Sequence, residues 1–374
     1  MKRYVAIVTL FLLVASQYTH AQKIFFESVG DTSVRFFFDE NYYLVDQDCE
    51  FKAIERVAGF DRKNNKFDGE FKDFHVMTGH VVLHGNYREG KKEGRFTAYY
   101  PNGKLRWETT FDDDSPRGPW YYYFPDGTPH LFITLTEKSF SIDQMWDEKG
   151  EQIVVDGDGL YNLNSAIIGF TDHGYTSYNR TGEVRDSVPN GRWPITVLVD
   201  DKSKQIIGVE VYEGGRLVQE VRDKGFFWMY YGSVQSLMEF AILPNDYFPR
   251  AEFLIAKACT FDEFSGFMGF IETKFYRYLQ RTRENFNIET AVNYRVRVSK
   301  KGMPRIRHMT TSSQELTAEQ RRVLRKMVEE IDYYLPSYLD GKPIKDNLTV
   351  SFSVHWNEQV KNVSNMTIER EKGK

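Results

Sequence analysis

Two stretches of this chain say nearly the same thing, twenty-four residues apart. Tyr87-Arg88-Glu89-Gly90-Lys91-Lys92-Glu93-Gly94-Arg95-Phe96 leads into Tyr99-Tyr100-Pro101-Asn102-Gly103-Lys104. Phe111-Asp112-Asp113-Asp114-Ser115-Pro116-Arg117-Gly118-Pro119-Trp120 leads into Tyr123-Phe124-Pro125-Asp126-Gly127. Gly94 matches Gly118, Phe96 matches Trp120, and the Pro-Asn-Gly turn at Gly103 matches Pro-Asp-Gly at Gly127. A fixed period with glycine and aromatic residues at fixed offsets marks a repeat array. Asn-Gly and Asp-Gly are strong hairpin dipeptides, and the expectation is a primed turn with positive φ at both central residues. Each unit is then a β-hairpin that buries its rings only by stacking on its neighbours.

Looser copies flank these two. Gly69 to Gly79, Val81 to Tyr87 and Met145 to Gly150 each keep part of the pattern. Asn190-Gly191-Arg192-Trp193 and Val211-Tyr212-Glu213-Gly214-Gly215-Arg216 look like the two signatures of a last copy, spread apart by an insertion. The expected architecture is a long antiparallel meander over residues 67–220, after a β lead-in at 22–66. Gly85-Asn86-Tyr87, Lys92-Glu93-Gly94, Tyr99-Tyr100-Pro101-Asn102-Gly103-Lys104 and Gly118-Pro119-Trp120 resemble the MORN-repeat family in its bacterial, antitoxin-like variant. That resemblance implies a scaffold or contact surface, with Tyr87, Gly94, Tyr99, Tyr100, Gly103, Gly118, Trp120 and Gly127 as its signature.

Residues 1–21 read as an export signal. Lys2-Arg3 precede a run dominated by apolar residues from Val5 to Ala15, and Ala21 offers a small residue for cleavage. Eleven helical residues reach only about 16 Å, against roughly 30 Å of hydrocarbon core, which argues against a membrane span. The expected location is the periplasm, or the periplasmic face of the outer membrane, of a Gram-negative bacterium. Cys49 and Cys259 are the only cysteines. A disulfide and two separate thiols both fit, because pairing depends on geometry. Without Lys2 and Arg3 the chain carries 47 basic and 53 acidic residues, a net −6. Residues 261–374 are nevertheless net +5, which places a domain boundary before them.

Residues 221–258 lose the repeat signal and read as a connecting segment. From Phe261 the grammar changes. Phe264, Phe267, Met268, Ile271, Phe275 and Tyr278 follow helical spacing to about Arg283. Tyr294 to Val298 alternates and returns through Ile306 after a turn at Gly302. Thr317-Ala318-Glu319-Gln320 is a capping box opening a helix that carries Leu324, Met327, Val328, Ile331 and Leu335 and stops at Pro336. Leu348, Val350, Phe352, Val354 and Trp356 then share one face of a strand, and 358–374 reads as a polar tail. Helix, hairpin, helix and strand in this order, with Leu335-Pro336 and Gly341-Lys342-Pro343, resemble the C-terminal domain of TonB over residues 259–357. The fold class expected is thus a mainly β repeat followed by a small α+β domain.

The second resemblance implies peptide capture by strand addition, with Leu348, Val350, Phe352, Val354 and Trp356 as the candidate edge. It does not carry the energy-coupling activity, since it covers the terminal domain alone. A basic cluster holds Arg295, Arg297, Arg305, Arg307, Arg321, Arg322 and Arg325, together with Lys300, Lys301 and Lys326. On a shared surface it would attract anionic lipid or polymer, and otherwise it is a solvated face. His75, His80 and His84 favour ordinary strand histidines over a metal site. Asp156-Gly157-Asp158-Gly159 favours a turn over a calcium loop. No recognised catalytic motif is present. The function expected is therefore that of a non-enzymatic envelope protein working through protein partners, without cofactor, metal or nucleic acid. The alternatives are an accessory to outer-membrane transport and an anionic membrane-surface binder.

Overall fold

The computed structural model describes residues 26–30, 32–136, 140–167, 169–171, 175–199, 202–222 and 254–373. The expected leader at 1–21 and most of the connecting segment lie outside the described residues. The chain divides into two compact units. Among the described residues, one comprises those within 26–103, 111–114 and 254–257, and the other those within 104–110, 115–222 and 258–373.

Seventeen strands, from β1 (Glu27–Val29) to β17 (Arg216–Arg222), form one antiparallel meander. It starts with a local detour. β2 (Ser33–Phe38) pairs directly with β4 (Ile54–Asp61), while β1 and the two-residue β3 (Leu44–Val45) share its other edge. Strand burial alternates with period two along β2 and β4, as expected for a sheet filled on one face. Rings fill that face. In the first unit Phe36, Phe60, Phe67 and Tyr87 follow one another at centroid distances of 5.2 to 5.4 Å, and Phe96 meets Phe111 at 4.9 Å. In the second unit Trp107 meets Trp120 at 5.4 Å, and Trp193 lies between Tyr161 and Tyr212 at 5.1 and 5.6 Å.

The hairpins use two kinds of turn. Glu89-Gly90, Asp113-Asp114, Asp156-Gly157, Asp186-Ser187 and Gly214-Gly215 each have positive φ at both residues. In four of these the flanking residues pair directly, as in Arg88 with Lys91 and Arg185 with Val188. These are the two-residue turns whose twist matches the flanking strands. Elsewhere the amides of Gly103, Gly127 and Gly150 donate to Tyr100, Phe124 and Asp147 three residues back, at 2.8, 2.8 and 3.0 Å. There only the glycine has positive φ. The expectation of primed turns at Asn102-Gly103 and Asp126-Gly127 is thus corrected. Pro101 and Pro125 occupy the first central position with φ fixed near −65°, which selects a type I turn closed by a left-handed glycine.

In the second unit, residues 261–373 form a module of their own. Its sheet has the order β19 (Pro304–Thr311), β18 (Ile288–Val298), β22 (Asp346–Trp356), β23 (Lys361–Arg370). A short pair, β20 (Ser337–Leu339) with β21 (Lys342–Ile344), stands beside it. α1 (Phe261–Phe264) and α2 (Phe267–Arg281) are separated by Gly266, whose φ of +74° an L-residue adopts poorly. α2 buries Phe267, Phe270, Ile271, Phe275 and Leu279, and Phe275 meets Phe352 at 4.9 Å. α3 (Ala318–Glu329) starts at the expected capping box, with Gln320 and Thr317 each accepting the other's backbone amide.

Two expectations about this module change. The second helix ends at Glu329 rather than running to Leu335. Ile331 and Tyr334 stay buried outside it, Tyr334 donating its amide to Gly302 at 2.9 Å and sharing a 2.6 Å hydroxyl contact with Tyr294. The residue before Pro336 also disfavours helix. The polar tail is a strand: β23 pairs with β22 from Leu348–Arg370 to Trp356–Lys361.

Candidate functional site

The repeat signature is spent on structure. Tyr87 and Trp120 are buried, while Tyr99 and Tyr100 are half-buried. Gly94, Gly103, Gly118 and Gly127 all have positive φ. The charged groups on the ring-lined face are paired as well. Arg56 donates Nε and Nη2 to Asp73 at 2.7 and 2.8 Å, with both side chains fully buried. Arg180 pairs with Glu210 at 3.3 Å, and Glu210 accepts the Tyr212 hydroxyl at 3.0 Å.

The three imidazole rings have different partners. His75 Nδ1 lies 3.2 Å from the Thr78 hydroxyl, His80 Nδ1 2.7 Å from the Pro101 carbonyl, and His84 stacks on Tyr99. His80 precedes its strand, β6 (Val81–Arg88), so it does not share a strand face with His84. Asp156-Gly157 is the turn between β12 (Gln152–Val155) and β13 (Asp158–Ala166).

The candidate edge at Leu348–Trp356 requires a correction. β22 lies inside its sheet, with β18 on one side and β23 on the other. Leu348, Val350, Phe352, Val354 and Trp356 are all core residues, at most 2% exposed. The amides of this strand are already in ladders, so an added strand has no open edge here. Among the described residues, the sheet's outer strands are β19 and β23.

The basic cluster divides in two. Arg295 and Arg297 are exposed positions between the buried Tyr294, Val296 and Val298 of β18. Arg297 pairs in register with Arg305, so these three side chains share the sheet face opposite the core. Arg307 belongs elsewhere. Arg295 pairs with His308 and Val296 with Ile306, which leaves Arg307 as the extra residue of a bulge. It lines a cleft of about 620 Å³ with residues 308–311, Ser313, Gln314, Ala318, Arg321, Arg322 and Arg325. One wall is thus the outer strand β19 and the other is α3.

Arg321 is fixed in this cleft by donating to the Leu316 and Gln314 carbonyls at 3.2 and 2.9 Å. Arg322 and Arg325 pair with Glu319 and Glu329 of their own helix, at 3.3 and 3.2 Å, with each side chain more than half exposed. Arg322 also borders a second cleft of about 330 Å³ with Tyr278, Arg281, Arg283 and Lys326. The sequence reading found the arginines of the first cleft but missed Arg281 and Arg283 of the second. A signal was present, since Arg281 closes α2 and Arg283 follows it within the net basic residues 261–374.

Chemically, the arrangement offers cationic forks beside an exposed strand, a geometry suited to carboxylate or phosphate groups. No protein-family model matches this chain, and no curated protein matches it.

Proposed function

We propose that this chain is a non-enzymatic, exported envelope protein that works by protein–protein contact. In this reading the meander is a MORN-like scaffold and residues 259–373 are a TonB-C-like module that engages the partner. The observation that carries it is the use of the conspicuous residues of the meander. Its rings, turn glycines and buried charges serve packing, whereas the terminal module keeps an arginine-lined cleft at the surface. Cys49 and Cys259 are both disulfide-bonded, which supports an oxidising compartment. Strand addition at 348–356 forms no part of the proposal, because β23 covers that strand.

Crosslinking in intact cells, followed by fractionation and mass analysis, tests the reading. The expected result is a chain shortened by residues 1–21, recovered outside the cytoplasm in discrete crosslinked complexes. Recovery from the cytoplasm with the leader intact, or uncrosslinked under all conditions, would overturn it.

A further inference from the structure

Among the described residues, β19 presents an open edge with a definite pattern of free groups. On one side of the Arg307 bulge, the Ser312 amide donates to the Ala291 carbonyl at 2.9 Å. Counting back in steps of two, Thr310 and His308 also turn their backbone groups toward β18, opposite Asn293 and Arg295. Met309 and Thr311 therefore turn their N–H and C=O outward. On the other side, the Ser299 amide donates to the Met303 carbonyl at 3.0 Å, which turns Pro304 and Ile306 outward. Pro304 has no amide to offer, and the bulge interrupts the edge at Arg307. These two features blunt the first half of the strand and leave Met309 to Thr311 as the receptive half.

That half is the one that lines the larger cleft. Facing it are Arg321, held in place by two loop carbonyls, and Arg322 and Arg325 on successive turns of α3. Arg307 makes no ion pair among the described residues. Arg322 and Arg325 hold only solvent-exposed partners on their own helix, and such pairs are weak, so an incoming carboxylate displaces them at little cost.

We propose that the cleft between β19 and α3 binds an extended acidic peptide segment by strand addition. Met309 and Thr311 supply the backbone ladder, while Arg307, Arg321, Arg322 and Arg325 select carboxylates on the side facing α3. This rests on the reading of residues 259–373 as a partner-binding module and names the chemistry of the partner. The shape favours a peptide over a membrane surface. An anionic bilayer is met by a flat or convex basic face, whereas these arginines line a concave cleft that ends on free backbone donors.

The test uses the full chain with its disulfide intact and a fluorescent peptide of about seven residues alternating Glu and Val, long enough to span the receptive half at roughly 3.3 Å per residue. Binding is read by anisotropy, and the amides of Met309 and Thr311 by hydrogen exchange. The proposal expects saturable binding, slower exchange at those two amides, and loss of binding when alternate peptide amides are N-methylated. It also expects Arg307→Glu/Arg325→Glu to weaken binding at least about tenfold, since juxtaposed like charges cost several kcal/mol. Both positions are exposed, and an unchanged melting temperature shows that this variant folds.

Binding that ignores N-methylation would overturn strand addition. Equal binding by a Lys-Val peptide would overturn acid selection. Binding only to vesicles containing anionic phospholipid would overturn the peptide in favour of a membrane surface. Absence of all binding would overturn the cleft assignment while leaving the broader reading intact, because crosslinked partners would then map to other residues.

Discussion

Gly182 lies directly beneath the indole of Trp193, so close that a β-carbon at residue 182 would stand 2.2 Å from the ring. Gly85 stands in the same relation to Phe96, at 2.7 Å. Neither glycine has positive φ, so the requirement is one of close approach and not of backbone conformation. Gly182→Ala is expected to destabilise the chain by about 1–3 kcal/mol, because the ring must leave its position. In a Trp193→Leu background the same substitution should cost clearly less, since the clash is then removed. Denaturant midpoints of the four proteins measure this coupling. Equal costs in both backgrounds would show that the indole is not the obstacle.

The buried pair Arg56–Asp73 supports a second prediction. The Arg56 guanidinium lies 4.4 Å from the Phe71 centroid and 5.0 Å from that of Phe67, so the pair is enclosed by rings as well as by its own hydrogen bonds. Arg56→Met leaves a buried carboxylate without its partner and is expected to cost about 3–5 kcal/mol. The double variant Arg56→Met/Asp73→Leu should recover most of that loss. If the double variant is as unstable as the single one, the arginine is needed for packing and not to balance Asp73.

His130 gives the fold a pH dependence of known sign. Its ring stacks on Phe124 at 4.1 Å, and burial lowers its pKa from the ordinary 6.5 to about 4. Between those values the unfolded chain takes up a proton that the folded one refuses, so stability falls as pH drops from about 6.5 to about 4. The largest loss from this one group is about 3 kcal/mol. His84 is shifted the same way, by burial first and then by Lys72 and Arg95. His130→Phe keeps a ring against Phe124 and should remove much, but not all, of the difference in unfolding free energy between pH 7 and pH 4.5. An unchanged difference would assign the acid sensitivity to other groups.

Much of the meander was legible because its signals are local. The pairing of Gly85 with Phe96 recurs at the same spacing of eleven in Gly182 and Trp193. That spacing could have revealed a whole unit at 182–193, where only Asn190 to Trp193 was recognised. At Gly103 and Gly127 the dipeptide marks the position of the turn, while the proline before it decides the type. β23 was missed for a different reason. Val363 falls out of phase with Met366 and Ile368, and the register shifts between Ser351 and Ser353, opposite Asn365 with its φ of +53°. A bulge of this kind erases the period-two signal. The division of the arginines was hidden for a third reason: sequence shows which residues are near one another, but not which side of a sheet a later helix covers.

Arg370 clamps the end of β23 to α1 and to the segment before β20, and it supports the last prediction. Its Nε donates to Asp262 at 2.8 Å, and its Nη1 donates to the Leu335 carbonyl and the Ser337 hydroxyl at 3.1 and 2.9 Å. Both charged side chains are almost wholly buried, at 5% and 3% exposure, so the end of the strand is tied to α1 and to the β20 segment at once. Beyond it the Glu371 amide donates to the Asn347 carbonyl at 3.2 Å, and the Lys372 amide to Asp346 at the same distance. Arg370→Ala leaves Asp262 buried without its partner, a defect worth about 3–5 kcal/mol. The ladder from Leu348–Arg370 to Ser351–Thr367 should open first, since the bulge near Asn365 separates it from the half anchored at Trp356–Lys361. Hydrogen exchange then has a specific expectation. Amides from Leu348 to Ser351 that face β23 should exchange faster in Arg370→Ala, while those bonded to β18 keep their protection. Uniform acceleration through the whole module would mean that Arg370 supports the core as a unit. Unchanged protection would mean that the backbone ladder holds β23 without it. Selective opening would show that the edge of β22, closed in the folded chain, is kept closed by one clamped arginine.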